Sequence, residues 1–125
     1  MEQNDSHLKL KRILLIEDDK ELQDVIKEAL ELEGFKVFTA NNGREGLNLL
    51  ATNPAPCLIL LDLIMPVMNG WEFMEELNSD LLLSTIPVVI VSGLENKSEN
   101  DKSIVFIPKP IDLEKLLNIV HKHCG

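Results

Sequence analysis

The chain has 125 residues, of which 45% are hydrophobic and 26% charged, as expected for one globular domain with a hydrophobic core. Its net charge of −9, with no compensating stripe of Lys and Arg, argues against nonspecific binding to nucleic acids or anionic membranes. No apolar run approaches the roughly 18 residues that cross a bilayer, and the polar start MEQNDSHLKLKR lacks the apolar core of a signal peptide. We therefore expect a cytoplasmic protein, with a polar extension over residues 1–10 and one domain over residues 11–125.

Short apolar runs recur along the chain and predict five β-strands. Several are unbroken runs of Leu, Ile and Val, which is typical of parallel strands covered on both faces. The runs are Ile13–Ile16, Val37–Thr39, Leu58–Leu61, Val88–Val91 and Ile104–Ile107.

Segments with helical periodicity lie between these runs. In the first of them, Leu22, Val25, Ile26, Ala29 and Leu30 are spaced to form one apolar face. Gly34 follows as the expected end of that helix, and Asp112 is the expected N-cap of the last helix. The predicted helices are Lys20–Glu33, Gly43–Ala51, Trp71–Leu77 and Leu113–His121.

The alternation predicts an α/β fold with five βα units. Right-handed crossovers then give a doubly wound parallel sheet with helices on both faces. The segment LENKSENDKS, residues 94–103, is almost wholly polar and lacks an apolar face. We expect the helix between the fourth and fifth strands to be short or irregular there.

The two cysteines, Cys57 and Cys124, do not form a C-x-x-C metal motif. Cys57 begins an apolar run and is interpreted as a small core residue, while Cys124 is interpreted as incidental. On this pattern we expect no disulfide bond.

Polar residues follow four of the predicted strands at the point where each strand ends. They are Glu17 and Asp18, then Asp62, Ser92 and Lys109. In a doubly wound sheet the carboxyl ends of the strands form the ligand site, so we expect these side chains to converge.

The chemistry of this set is complementary. Three close carboxylates repel each other by about a few kcal/mol per pair, and one lysine cannot balance three charges. Oxygen ligands favour Mg²⁺. One carboxylate, Asp62, could then accept a phosphoryl group, while Lys109, the cation and the Ser92 hydroxyl stabilise its oxygens.

With these motifs in order, the chain resembles the receiver domain of two-component response regulators over about residues 11–123. The resemblance implies a flavodoxin-like sheet with strand order 2-1-3-4-5. The resemblance rests on Glu17-Asp18 after ILLI, on Asp62 in LLDLIMPVMNG, on Ser92 and on Lys109-Pro110. Each motif alone is weak, but four in order at strand ends are specific.

The resemblance implies that Asp18 and Asp62 are direct Mg²⁺ ligands, that Glu17 contributes mainly through water, and that the carbonyl of Ile64 completes the protein ligands. Asp62 would receive a phosphoryl group from a histidine kinase or a histidine phosphotransfer protein. The chain itself would not turn over an independent substrate.

The resemblance also implies a switch. Ser92 would move toward the phosphoryl group, and Phe106 would follow as the aromatic switch residue. The bond between Lys109 and Pro110 would be cis, which only X-Pro bonds adopt at low cost. The altered surface would comprise the helix after the fourth strand, the fifth strand and the last helix.

Simpler interpretations exist for some of these residues. Asp19 favours the first helix by its charge more than it suggests a metal ligand. Phe106 is first of all a core residue, and Ser92 alone could be a turn residue. His121 and His123 point to different sides of a helix and make a poor metal pair.

The sequence departs from the family in two places. Ser92 and Lys109 are closer together than usual, so the surface formed by the 94–103 segment is expected to be reshaped. Ile64 and Leu94 put apolar side chains beside the phosphoryl site, where they cannot orient an attacking water. Slow self-dephosphorylation is therefore expected.

The favoured function is a phosphorylation-dependent signalling switch, a stand-alone receiver that binds an unknown protein target or passes the phosphoryl group onward. A fragment of a longer regulator or hybrid kinase would have a similar sequence. One alternative is a Mg²⁺-dependent phosphatase or phosphotransferase with an aspartyl nucleophile. The apolar Ile64 counts against it, because such hydrolases often carry a second acid there. The other alternative is a degenerate receiver that acts as a binding module.

Overall fold

A computed structural model describes residues 11–93 and 105–124 of the chain. The strands are β1 (Arg12–Ile16), β2 (Lys36–Ala40), β3 (Leu58–Leu61), β4 (Val88–Ser92) and β5 (Val105–Pro108). The helices within the described residues are α1 (Lys20–Leu32), α2 (Gly43–Thr52), α3 (Gly70–Asn78) and α4 (Leu113–Cys124), with a 3₁₀ turn at Leu83–Thr85. The predicted extension over 1–10 and the 94–103 segment lie outside the described residues.

The strands form one parallel sheet in the order β2-β1-β3-β4-β5, which confirms the predicted fold. β1 lies between β2 and β3 in the sheet and pairs with both. This order puts the topological switch point between the ends of β1 and β3. Glu17 and Asp62 follow those two strands directly.

Alternate residues of each central strand face opposite sides of the sheet, and each side has its own core. Ile13 and Leu15 belong to the first core cluster, with residues of α1 and α4. Leu14 and Ile16 belong to the second, with residues of α2 and α3. Because both faces are covered, apolar residues are needed at every position, which explains the unbroken runs.

α1 is rotated about its own axis relative to the predicted orientation, so a different set of residues faces the sheet. Ile26 and Leu30 are buried as expected, but Val25 is 48% exposed, so its prediction as a core residue is wrong. The third buried residue of this helix is Gln23. The carboxylate of Asp19 caps the helix by accepting hydrogen bonds from the N–H groups of Glu21 and Leu22.

The ends of α1 and α4 follow the predicted signals. Gly34 has a positive φ of 94°, a conformation that glycine adopts at little cost when it ends a helix. Asp112 accepts a hydrogen bond from the N–H of Lys115 and so caps α4. Among the described residues, no helix is both long and apolar enough to cross a bilayer.

The expectation for the cysteines is wrong, because Cys57 and Cys124 form a disulfide bond. α4 continues one turn beyond the predicted end at His121, and its last residue lies over the start of β3. The apolar pattern of α4 stops at Val120, so periodicity could not predict that final turn. Cys57 is partly buried and lies at the rim of the first core cluster.

Candidate functional site

The predicted strand ends meet around one open cleft at the carboxyl edge of the sheet. Its volume is about 420 Å³. The strand register explains this convergence, since the N–H of Glu17 donates to the carbonyl of Ala40 and the N–H of Asp62 donates to the carbonyl of Ile16. The lining residues are Glu17, Asp18, Asp19, Asp62, Ile64, Ser92, Gly93 and Lys109.

Three carboxylates form the acidic part of the cleft. Glu17, Asp18 and Asp62 each offer an oxygen, and these oxygens lie within 4.8 Å of one another. Glu17 and Asp62 are only 1% and 4% exposed, whereas Asp18 is exposed to solvent. Such a cluster of oxygen donors at a partly open site fits a hard cation such as Mg²⁺.

Lys109 is the basic partner of the two buried acids. Its Nζ lies 2.8 Å from Oε1 of Glu17 and 3.2 Å from Oδ2 of Asp62. The β4–β5 pairing holds this lysine, because its N–H donates to the carbonyl of Ser92. One ammonium group therefore offsets two carboxylates, and the cleft keeps an excess of negative charge.

Burial and charge perturb both ends of this ion pair. Burial raises the pKa of Glu17 above its ordinary value of 4.5, and the charge of Asp62 raises it further, against the lowering effect of Lys109. Burial lowers the pKa of Lys109, but contacts with Glu17 and Asp62 outweigh that effect and leave the pKa raised. The lysine is thus held in its charged form.

Gln23 is a buried residue of α1 that holds the backbone at Glu17, and the sequence patterns did not identify it. The side chain is 2% exposed. Its Nε2 donates to the backbone carbonyl of Glu17 at 2.9 Å and to Oδ1 of Asn41 at 3.2 Å. In the sequence, Gln23 is a polar residue that follows Leu22 in α1. The apolar periodicity of the helix does not show that such a residue is buried.

The segment after Asp62 is held by a close approach between α3 and the end of β3. The N–H of Gly70 donates to the carbonyl of Leu63 at 2.9 Å. A Cβ at Gly70 would lie 2.5 Å from the carbonyl oxygen of Asp62, so only glycine fits without displacement. The N–H of Ile64 donates to Oδ1 of Asp62 at 3.3 Å, which orients the carboxylate.

The turn between Ile64 and Gly70 carries backbone strain. The N–H of Met68 donates to the carbonyl of Pro66 at 2.7 Å, across a γ-turn centred on Val67. Val67 has a φ of 68°, in the left-handed region that a β-branched residue rarely adopts. Strain of this kind often accompanies functional sites.

The remaining predicted site residues differ in position and exposure, and Phe106 is not among the residues that line the cleft. Ser92 is fully buried at the end of β4, and Ile64 is 55% exposed. Phe106 is partly buried and packs against the second core cluster. The peptide bond between Lys109 and Pro110 is cis. Asp19 lines the cleft, but its carboxylate already caps α1.

This geometry agrees with the result of comparison with known families. The family model of the response regulator receiver domain matches residues 13–121 of the chain. The chain belongs to this family. It is a receiver domain of two-component signalling.

Relatives match the chain over most of its length. Protein PilH of Pseudomonas aeruginosa is 30% identical over 115 residues, covering 88% of this chain and 94% of PilH. The transcriptional regulatory protein CrdR of Helicobacter pylori is 36% identical over 111 residues, covering 85% of this chain and 51% of CrdR. The chain spans about half the length of the first curated relatives it matches.

A solved structure shows the same fold. The crystal structure of a CheY-like response regulator receiver domain protein from Methanospirillum hungatei has a TM-score of 0.80 and 31% sequence identity to this chain. The match covers 92% of this chain and 94% of that chain.

Proposed function

We propose that this receiver domain is a phosphorylation-dependent switch in which Asp62 accepts the phosphoryl group. The observation that carries the proposal is the group of three carboxylate oxygens within 4.8 Å, with Lys109 Nζ 3.2 Å from Asp62. An acidic cluster with one cation is suited to binding a divalent ion and a dianionic phosphoryl group together. The same arrangement would be costly at a site with only a structural role.

The donor set supports Mg²⁺ as the cofactor. Carboxylate oxygens of Glu17, Asp18 and Asp62, with the carbonyl of Ile64, would hold the ion, and Glu17 would act mainly through water. When bound, Mg²⁺ neutralises phosphoryl oxygens as charge develops on them. The exposed position of Asp18 leaves one side of the site open to solvent ligands, which Mg²⁺ retains in most proteins.

In the proposed reaction, an oxygen of the Asp62 carboxylate attacks the phosphorus of a phosphohistidine on the partner. The P–N bond breaks as the acyl phosphate P–O bond forms, and the histidine ring leaves with the electron pair of the P–N bond and takes up a proton. Lys109 would release its contact with Asp62 and bind a phosphoryl oxygen. The Ser92 hydroxyl would donate to another, and Phe106 would respond to the movement of Ser92.

Partners and location follow from this role. The phosphoryl donor is proposed to be a sensor histidine kinase or a histidine phosphotransfer protein in the cytoplasm. The output is binding of a downstream protein through an altered surface that includes β5 and α4. Several relatives are named as transcriptional regulators, but they extend well beyond the region matched here.

Incubation with acetyl phosphate and Mg²⁺, followed by intact mass measurement, tests the proposal. The expected result is one added phosphoryl group that requires Mg²⁺ and is absent from the Asp62→Asn variant. Asp80→Asn, which changes an exposed acid outside the cleft, is the matched control and should be labelled normally. Labelling of the Asp62→Asn variant to the wild-type extent would overturn the assignment of Asp62.

The lifetime of the adduct tests the remaining part of the proposal. Ile64 presents an apolar side chain, 55% exposed, beside the carboxylate of Asp62. It cannot orient an attacking water, so slow hydrolysis is expected, and Ile64→Asn should shorten the lifetime. Rapid turnover of a small phosphoester would instead favour a phosphatase.

A further inference from the structure

We propose that Cys57 and Cys124 are a reversible thiol–disulfide pair, a redox modification site whose oxidised form fastens the last turn of α4 to the start of β3. This inference goes beyond the phosphorylation of Asp62, and it rests on the proposed function only for the cytoplasmic location.

The two sulfur atoms come from distant parts of the sequence and neighbouring parts of the fold. Cys57 directly precedes β3, and Cys124 is the last residue of α4. Their Cα atoms lie 5.7 Å apart, although 67 positions separate them in sequence. The chain has two cysteines in all, so no third thiol of the same chain competes for either one.

Both cysteine residues border solvent in the folded protein. Both cysteines are partly exposed, because they pack at the rim of the first core cluster and not within it. Thiol–disulfide exchange requires an attacking thiolate to reach one of the two sulfur atoms. A reductant in solution can therefore reach this bond without prior unfolding.

The fold also supports the reduced state. Sγ of Cys57 lies 3.1 Å from the backbone carbonyl oxygen of Arg12, which can accept a hydrogen bond from the thiol after reduction. Leu116 and Val120 hold α4 in the core and are fully buried. Nε2 of His121 lies 2.7 Å from Oε1 of Glu33 at the end of α1. These anchors keep α4 docked when the bond opens.

The proposed cytoplasmic location favours a bond that opens and closes. Glutathione and thioredoxin keep most cytosolic thiols reduced, and the disulfides that do form there are usually transient or redox-sensing. A partly exposed pair on a helix that has other anchors matches that class better than a permanent structural bond.

The disulfide lies at the ends of β3 and α4 that are remote from the cleft, so it can affect the cleft through these two elements. β3 begins directly after Cys57 and ends directly before Asp62, which lies about 16 Å from Cys57 along an extended strand. α4 begins shortly after Lys109 and ends at Cys124. Oxidation thus joins the far ends of two elements whose near ends adjoin the cleft, and it restricts movement of α4 over the sheet.

Opening of the bond is a two-electron reduction by two molecules of glutathione. The first thiolate attacks one cysteine sulfur, the S–S bond breaks, and the other cysteine leaves as a thiolate that takes up a proton. The second glutathione attacks the mixed disulfide, forming glutathione disulfide and releasing the remaining cysteine as a thiol. Closure by glutathione disulfide is the reverse reaction.

The first test is a redox titration of the folded protein in glutathione buffers, with maleimide trapping and intact mass measurement. Millimolar glutathione should convert a monomer that takes no maleimide into one that takes two, and glutathione disulfide should reverse the change. A bond that opens only in denaturant would overturn the proposal, and so would a pair that never closes within the monomer.

The second test is amide hydrogen exchange of α4 in the two redox states. Exchange in its last turn should be about tenfold faster after reduction, because the covalent restraint on local opening is lost. The melting temperature should fall by about 10 °C. A Cys57→Ser, Cys124→Ser double variant should match the reduced protein in both buffers. Equal exchange in the two states of the wild-type protein would overturn the inference.

Discussion

The two edges of the sheet carry opposite kinds of residue. At the carboxyl edge, Glu17 and Asp62 are buried acids that share one lysine. At the amino edge, Cys57 is joined covalently to α4, and the loop before β4 exposes the apolar side chain of Leu81. The carboxyl edge therefore contains electrostatic repulsion that Lys109 relieves only in part, while the disulfide at the amino edge joins α4 to the start of β3.

Backbone strain follows the same division. Among the described residues, Val67 is the one non-glycine residue with a positive φ, and it lies in the turn that follows Asp62. No comparable strain occurs at the described turns of the amino edge. The comparison indicates that the carboxyl edge is built for chemistry at some cost in stability, and substitutions can test this on each side.

The largest effect is expected from Lys109→Met. This change removes the positive charge that contacts Glu17 and Asp62, and it leaves two buried acids without a basic partner. Without Mg²⁺, the free energy of unfolding should fall by about 3 kcal/mol. Mg²⁺ should restore more stability to this variant than to the wild type, because the cation replaces the missing charge. Urea unfolding with and without Mg²⁺ measures both quantities.

Lys122→Met is the matched control for that variant. Lys122 is exposed in the last turn of α4, near the amino edge, so its substitution should change the free energy of unfolding by less than about 0.5 kcal/mol. Equal losses of unfolding free energy in the two variants would mean that Lys109 offsets no unusual repulsion at the carboxyl edge.

Val67→Asn should raise the free energy of unfolding, whereas Lys109→Met lowers it. Asparagine adopts the left-handed region more readily than a β-branched residue, so the variant should be more stable by about 1 kcal/mol. Thermal unfolding measures the gain. Leu81→Asn makes a similar change at an exposed residue that lacks a positive φ, and it should have little effect. A loss of stability in Val67→Asn would contradict the assignment of strain to this turn.

The sequence predicted the carboxyl edge better than the rest of the molecule, for a physical reason. Acids directly after unbroken apolar runs are costly unless they have a function, so Glu17 and Asp62 stand out in a single sequence. Gln23 does not stand out, because the same amide would be ordinary on the exposed side of α1.

The disulfide could not be predicted because it depends on where one helix ends. The apolar periodicity of α4 stops at Val120, but the helix continues to Cys124 and so reaches the start of β3. Helix ends in polar segments are set by tertiary contacts that short-range patterns do not contain. The prediction for Val25 failed for a similar reason. Both Val25 and Ile26 fit the apolar spacing of the helix, and only the tertiary packing decides that Ile26 is the buried one.

The smallest effect concerns how pH controls Mg²⁺ binding at the carboxyl edge. Burial raises the pKa of Glu17 above 4.5, so this carboxyl takes up a proton at a higher pH than an ordinary glutamate. Glu17 must be deprotonated to accept a hydrogen bond from a metal-bound water and to offset the charge of the ion, so protons compete with Mg²⁺ as the pH falls through the raised pKa. Affinity should drop by up to about tenfold per pH unit below that value for one competing proton. Calorimetric titration should show a shallower pH dependence for Glu17→Gln, which binds more weakly but has no proton to lose at this position. If both proteins lost affinity in parallel, the competing proton would belong to another group, and the buried acid would not be the one that couples Mg²⁺ binding to pH.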